Sequence, residues 1–250
     1  MKKFLVCVAV FSMLGATSAA AADLPVKAPI YKAPPATVAT WTGCYFGGNV
    51  GYGWSPTKWR DPVFGTFVPG ELASHTADGV VGGGQIGCDY QTGQWVFGIQ
   101  GMFDASAMKG QSLNTLSLSE GNNVTDATKV PWIATLTGRI GYTLQPITLI
   151  YVKGGFAWAR AEYNECCTPP DTVDDGFAKA TRTGWAVGVG LEHMFQPNWS
   201  AFFEYDFVGL GTDRIAFTPI SPFSAFSYNI KQDVHMVLVG VNYRFGGGMH

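Results

Sequence analysis

The chain has 250 residues, of which 14% are charged and 14% aromatic, with 32 glycines and a formal net charge of −2. So weak a field, with no basic block, argues against a nucleic-acid partner. After residue 22 no apolar run approaches the roughly 20 residues that a spanning helix needs, so low charge and many aromatics point to strands in lipid.

Residues 1–22 read as a secretory signal peptide. Met1-Lys2-Lys3 is basic, residues 4–16 are apolar, and Ala20-Ala21-Ala22 offers small residues before Asp23. Cys7 would leave with it. Loss of Lys2 and Lys3 leaves 14 basic against 18 acidic residues, a net charge of −4. Residues 23–40, with Pro25, Pro29, Pro34 and Pro35, read as an extended periplasmic tether. A plain spacer is the simplest reading, and docking to the cell wall is the alternative.

The rest, 41–245, reads as one all-β domain, with 246–250 as a C-terminal extension. Alternation of apolar with small or polar residues predicts eight strands: 43–53, 79–91, 94–106, 130–144, 148–161, 182–195, 199–208 and 232–245. The connections 54–78, 107–129, 162–181 and 209–231 are long. Those at Thr92-Gly93, Gln145-Pro146-Ile147 and Gln196-Pro197-Asn198 are short. Strict switching between long and short predicts an eight-stranded antiparallel up-and-down transmembrane β-barrel. Short turns belong in the periplasm, which would put both termini there.

Parity assigns the faces. In the last strand His235, Val237, Val239, Val241, Tyr243 and Phe245 share the lipid side, and Met236, Leu238, Gly240, Asn242 and Arg244 the other. Trp95, Tyr142, Trp158, Trp185, Trp199 and Tyr243 fall where interfacial girdles are expected. The same rule sends Gln85, Asp89, Gln100, Asp104, Arg139, Lys153, Glu192, Glu204, Asp206 and Arg244 into the lumen. A barrel of eight strands is just wide enough for side chains to fill. Opposite charges there should pair, because an unpaired buried charge is costly. A packed salt-bridge plug is the expectation, and a narrow water-filled pore is the alternative. No nucleophile or histidine joins the carboxylates by parity, so no catalytic residue is assigned.

Cys44 and Cys88 lie at the periplasmic rim of adjacent strands with the same lipid-side parity. In an oxidising compartment they can form a disulfide, free thiols being the alternative. Cys166-Cys167, in the third long connection, leaves a vicinal ring, two free thiols and intermolecular links open. His75, His193, His235 and His250 are scattered, and no cysteine spacing suggests zinc, so no metal or cofactor is assigned. The glycine clusters at 47–51 and 82–84 sit inside strands and are not phosphate loops.

Ala22-Asp23-Leu24-Pro25-Val26-Lys27-Ala28-Pro29, followed by the stretch from Trp41-Thr42-Gly43-Cys44-Tyr45-Phe46-Gly47-Gly48 to Trp54, resembles the small outer-membrane immunogenic proteins of alphaproteobacteria, a porin-like β-barrel family. Gly138-Arg139-Ile140-Gly141-Tyr142 and the end of the last strand resemble them too. The resemblance spans essentially the whole mature chain. It implies an eight-stranded barrel, surface exposure, antigenicity and a structural or weak porin role, with haem binding for some members. It supplies no catalytic residues. Two departures stand out. Cys44 replaces an aromatic or aliphatic residue, with Cys88 as its compensating partner. The chain also continues past Phe245, the aromatic residue that such barrels present to the assembly machinery.

Together these readings describe a non-enzymatic barrel of the outer membrane with a structural, surface-exposed role. Its expected partners are outer-membrane lipid, lipopolysaccharide and the barrel assembly machinery. A narrow channel is the second reading. A receptor, adhesin or haem binder acting through the outer loops, with Trp54, Trp59, Phe64 and Phe67 as contacts, is the third.

Overall fold

The computed structural model describes residues 40–60, 73–113, 124–167, 176–219 and 226–245. The segments expected as signal peptide (1–22), tether (23–40, except Thr40) and C-terminal extension (246–250), and Phe64, Phe67 and His250, lie outside the described residues. The strands are β1 (Gly43–Arg60), β2 (Ala73–Thr92), β3 (Trp95–Leu113), β4 (Val124–Gln145), β5 (Thr148–Cys167), β6 (Gly176–Gln196), β7 (Trp199–Pro219) and β8 (Phe226–Phe245). They close into a ring in sequence order, each antiparallel to its neighbours. Following the register from Cys44 through Cys88, Ile99, Gly138, Gly154, Val187, Phe207 and His235 returns to β1 at Trp54, ten residues above the start. That stagger sets the strand tilt and the width of the lumen.

A band of outward apolar side chains circles the ring, including Phe46, Ile86, Phe97, Leu136, Val152, Val187, Phe203 and Val239, all exposed. Its lower edge, at the short turns, carries the aromatic pairs Trp95–Tyr142 and Trp199–Tyr243, with ring centroids 5.3 and 5.1 Å apart. This is how strands meet lipid.

The strands run well past this band at the long-loop end. β1 reaches Arg60, not 53, and β7 reaches Pro219, not 208. Beyond the band outward apolar residues thin out, Leu113 and Phe177 being exposed exceptions, while inward burial continues. Ser55, Thr57 and Trp59 are buried, and Lys58 and Arg60 point out. The expected loop contacts Trp54 and Trp59 are therefore strand residues, and Trp59 lies fully inside. Trp158 and Trp185 stand in mid-strand rather than at strand ends. Cys166 and Cys167 are not in a loop but are the last two residues of β5.

Irregularities in the upper wall reverse parity. In β4 the inward set changes from Ile133 to Val130 around Pro131, which lacks an amide for the ladder. In β7 it changes from Leu210 to Ile215 around Gly211, whose φ of 72° a side chain would resist. Inward glycines serve another purpose: a Cβ on Gly87 would strike Tyr45, and one on Gly190 would strike Tyr151. These two rings lie across neighbouring strands, and the glycines give them room.

Candidate functional site

The lumen gathers the inward residues into layers. At the short-turn mouth sits an apolar stopper of Trp41, Val96, Leu149, Tyr151 and Met194. Trp41 precedes β1 and folds under the ring, its Nε1 donating to the Pro146 carbonyl at 3.1 Å and its amide to Gln91 Oε1 at 2.8 Å.

Above it lies a balanced four-charge cluster. Arg139 is bidentate to Asp89, with Nε to Oδ1 at 2.7 Å, and its Nη1 reaches Glu192 at 3.1 Å. Arg244 Nη1 meets the same Asp89 at 2.8 Å, and its Nη2 lies 3.6 Å from Glu192. Each carboxylate thus serves both arginines. Tyr45 lies between the two guanidinium groups, its centroid 4.7 Å from Arg139 and 5.0 Å from Arg244. Tyr151 covers the other face of Arg139, and Trp41 that of Arg244. Cation and ring alternate across the mouth. Asn242 donates to Glu192 at 3.0 Å, Gln85 to Asn242 at 2.7 Å, and Asn49 to Gln85 at 3.0 Å.

The next layer centres on Lys153, 2.6 Å from Glu204, 3.0 Å from Asp206 and 3.3 Å from Gln100. The Tyr151 hydroxyl donates to Glu204 at 2.7 Å. Asp104 is fully buried in the same part of the lumen beside Asn49 and in the field of Lys153, but it joins no ion pair among the described residues. Seven of the eight charged residues expected in the lumen are therefore ion-paired there, and Asp104 is not.

Higher still, Val81, Met108, Ile133, Ala157, Val208, Val234, Met236 and Leu238 belong to a buried apolar cluster. Above that comes Arg182, which parity could have placed inward because β6 alternates without a break from Glu192 down to it. Among the described residues, 178–184 of β6 and 210–217 of β7 form no rungs with each other, although Phe177 pairs with Thr218 above and Trp185 with Gly209 below. Arg182 occupies this gap. Its Nη2 donates to the carbonyls of Leu210 at 3.4 Å and Gly211 at 3.1 Å, its Nε to Asp213 at 3.0 Å and its Nη1 to Tyr163 at 3.2 Å. The topmost layer is aromatic: Trp59, Tyr163, Phe217 and Tyr228. His75 meets it at Trp59, with ring centroids 6.4 Å apart, and hydrogen-bonds Thr128 at 2.9 Å and Ser112 at 3.3 Å; burial pushes its imidazole pKa down to about 4.

Residues 8–245 match the family described as outer membrane protein beta-barrel domain. The chain belongs to that family. It is 32% identical over 249 residues to the 31 kDa outer-membrane immunogenic protein of Brucella melitensis, covering 96% of this chain and 99% of that one. It is 28% identical over 178 residues to a 22 kDa outer membrane protein of Rhizobium leguminosarum, covering 70% of this chain and 66% of the relative. Among solved structures, the outer membrane protease OmpT from Escherichia coli aligns with a TM-score of 0.50 at 7% identity, covering 82% of this chain and 98% of that one. That likeness speaks for the fold alone. As a member of this family, the protein resides in the outer membrane.

The remaining expected residues can now be placed. Cys44 and Cys88 face each other in the β1–β2 ladder, on the outer side near the short turns, and are bonded, with sulfurs 2.04 Å apart. Phe245 ends β8 facing outward, its ring centroid 6.0 Å from that of Phe46. The described histidines do not converge. His75 is inside, His193 pairs with Thr148 near the short turns, and His235 stacks on Trp54 near the opposite edge of the band. Among the described residues no three His, Cys, Asp or Glu side chains are grouped as metal ligands. The described histidines do not form a haem-ligating pair.

Proposed function

We propose that this outer-membrane barrel is a closed, non-enzymatic scaffold that presents its long connections at the cell surface and does not conduct along its axis. The observation that carries this reading is the layered filling of the lumen. The stopper around Trp41, the ion-paired layers around Arg139 and Lys153 and the apolar cluster around Met236 succeed one another, and all of these side chains are buried. A solute would have to break buried ion pairs and then cross a hydrocarbon layer, and both are costly. Long connections outside and short turns in the periplasm, with both termini periplasmic, complete the proposal. The immunogenic character named for the Brucella relative fits loops that are open to the exterior. Proteolysis belongs to OmpT, and fold likeness does not transfer it.

Single-channel recording on refolded residues 23–250 in a planar bilayer tests this. Silence from folded, inserted protein is the expected result. Discrete steps that change on Arg139→Ala or Glu204→Ala would favour the narrow channel instead and place its constriction in the charged layers.

A further inference from the structure

Two wall irregularities fall side by side at the long-loop edge of the apolar band. β3 carries an extra residue between Ala105 and Met108, and β4 carries one between Lys129 and Trp132. Bulges bend a strand and re-aim its side chains. Here they border a cleft of about 330 Å³ lined by Lys109, Gln111, Lys129 and Asn164, among others.

Lys109 and Lys129 stand directly opposite each other across the β3–β4 ladder. Both point outward, since their neighbours Met108, Thr128 and Val130 are buried inside. Like charges placed so are mutually destabilising unless an anion bridges them. The flanking carboxylates stand across the ladder from the lysines but form no ion pair with them among the described residues. Asp78, opposite Lys109, accepts the Tyr52 hydroxyl, and Glu162, opposite Lys129, pairs with Lys179 at 3.3 Å. Among the described residues neither Lys109 nor Lys129 forms an ion pair. Just below the cleft, Phe103 and Trp132 stack with centroids 5.8 Å apart. Tryptophan in such a position marks the interface between hydrocarbon and headgroups.

We infer that the cleft between Lys109 and Lys129 binds the phosphate of a phosphorylated outer-leaflet glycolipid. A phosphate between the two ammonium groups replaces their repulsion with two charge-assisted contacts. Gln111 and Asn164 add neutral donors at the rim. The acyl chains of such a lipid would then descend over Phe103, Trp132 and Leu136, all on the outward face. The inference rests on the orientation proposed above, in which the long connections lie outside.

Refolded protein in detergent micelles is titrated with diphosphorylated lipid A, with the same glycolipid after dephosphorylation, and with inorganic phosphate. The phosphorylated lipid should bind about ten-fold more tightly or better than its dephosphorylated form. The Lys109→Gln/Lys129→Gln variant should lose that preference, and Lys109→Arg/Lys129→Arg should keep it. Equal affinity for the two lipids, or a preference that survives in the Gln variant, would overturn the site. Displacement of the lipid by inorganic phosphate at comparable concentration would overturn the lipid as occupant and leave a simple anion site. If the double Gln variant does not refold, Lys129→Gln alone is read the same way. Micelles make the result independent of orientation. A preference seen there, with Lys231, an exposed lysine of β8 at the same long-loop end but outside the cleft, shielded from an impermeant amine reagent on intact cells, would overturn the outer-leaflet assignment and leave the clamp standing.

Discussion

The guanidinium of Arg244 lies over the indole of Trp41, 5.2 Å from its centroid, and Nη1 donates to the Trp41 carbonyl at 2.7 Å. The two are 203 residues apart. The last strand thus holds in place the residue that enters before the first. Trp41→Ala should lower unfolding stability in lipid vesicles by about 2–4 kcal/mol, from lost packing and a lost cation–π contact. Arg244→Ala in the same background should add less than it costs alone, because the two share an interaction. Additive losses in urea titrations would separate them.

Asp89 and Asp104 are both buried acids, with opposite circumstances. Asp89 serves two arginines, so Asp89→Asn should destabilise by about 3–5 kcal/mol by leaving buried cations short of an acceptor. Asp104 is in no ion pair among the described residues, so Asp104→Asn, which removes a buried charge and keeps an oxygen for Asn49, should be neutral or stabilising. Urea midpoints of the two variants, compared side by side, check the contrast.

Gly190 makes room for Tyr151. Gly190→Ala should cost about 1–3 kcal/mol through overpacking. Combining it with Tyr151→Ala should cost less than the sum of the two single changes, because the added methyl then has space. If the double variant shows the full sum, the ring is not what excludes a Cβ there.

His75 stands above the apolar band, with its pKa lowered by burial from 6.5 to about 4. In the unfolded chain it gains a proton near 6.5, and in the folded protein only near 4. Its contribution to stability is therefore complete above pH 6.5 and declines as pH falls from 6.5 to 4. Unfolding midpoints at pH 7 and pH 5 should differ less in His75→Gln than in the unchanged protein.

Inside the band, the fold was legible because hydrocarbon on one side and packed side chains on the other force a period of two. The whole lumen set from Asp89 to Arg244 follows from that rule. Above the band the rule loses its apolar half. Ser55-Pro56-Thr57-Lys58-Trp59-Arg60 reads as loop, although Trp59 keeps the inward parity of Tyr45. Parity also breaks at Pro131 and Gly211, where no local pattern announces a bulge. Trp41 was legible only as part of the family-like stretch, and its place in the stopper was not, because it lies ahead of the alternation and beside a proline-rich segment. The ion pairing of individual charges depends on the ten-residue stagger, which sets who meets whom across the lumen and is not written in any one strand.

Where β6 and β7 part company, the guanidinium of Arg182 does for the wall what backbone amides do elsewhere. Amides are supplied by every residue type but proline, so an ordinary stretch of barrel tolerates wide sequence drift. This stretch does not share that insurance. Its seal is written in one codon, and a single base change could unlatch the aromatic chamber sideways, toward the rim of the lipid, while the axis stays shut.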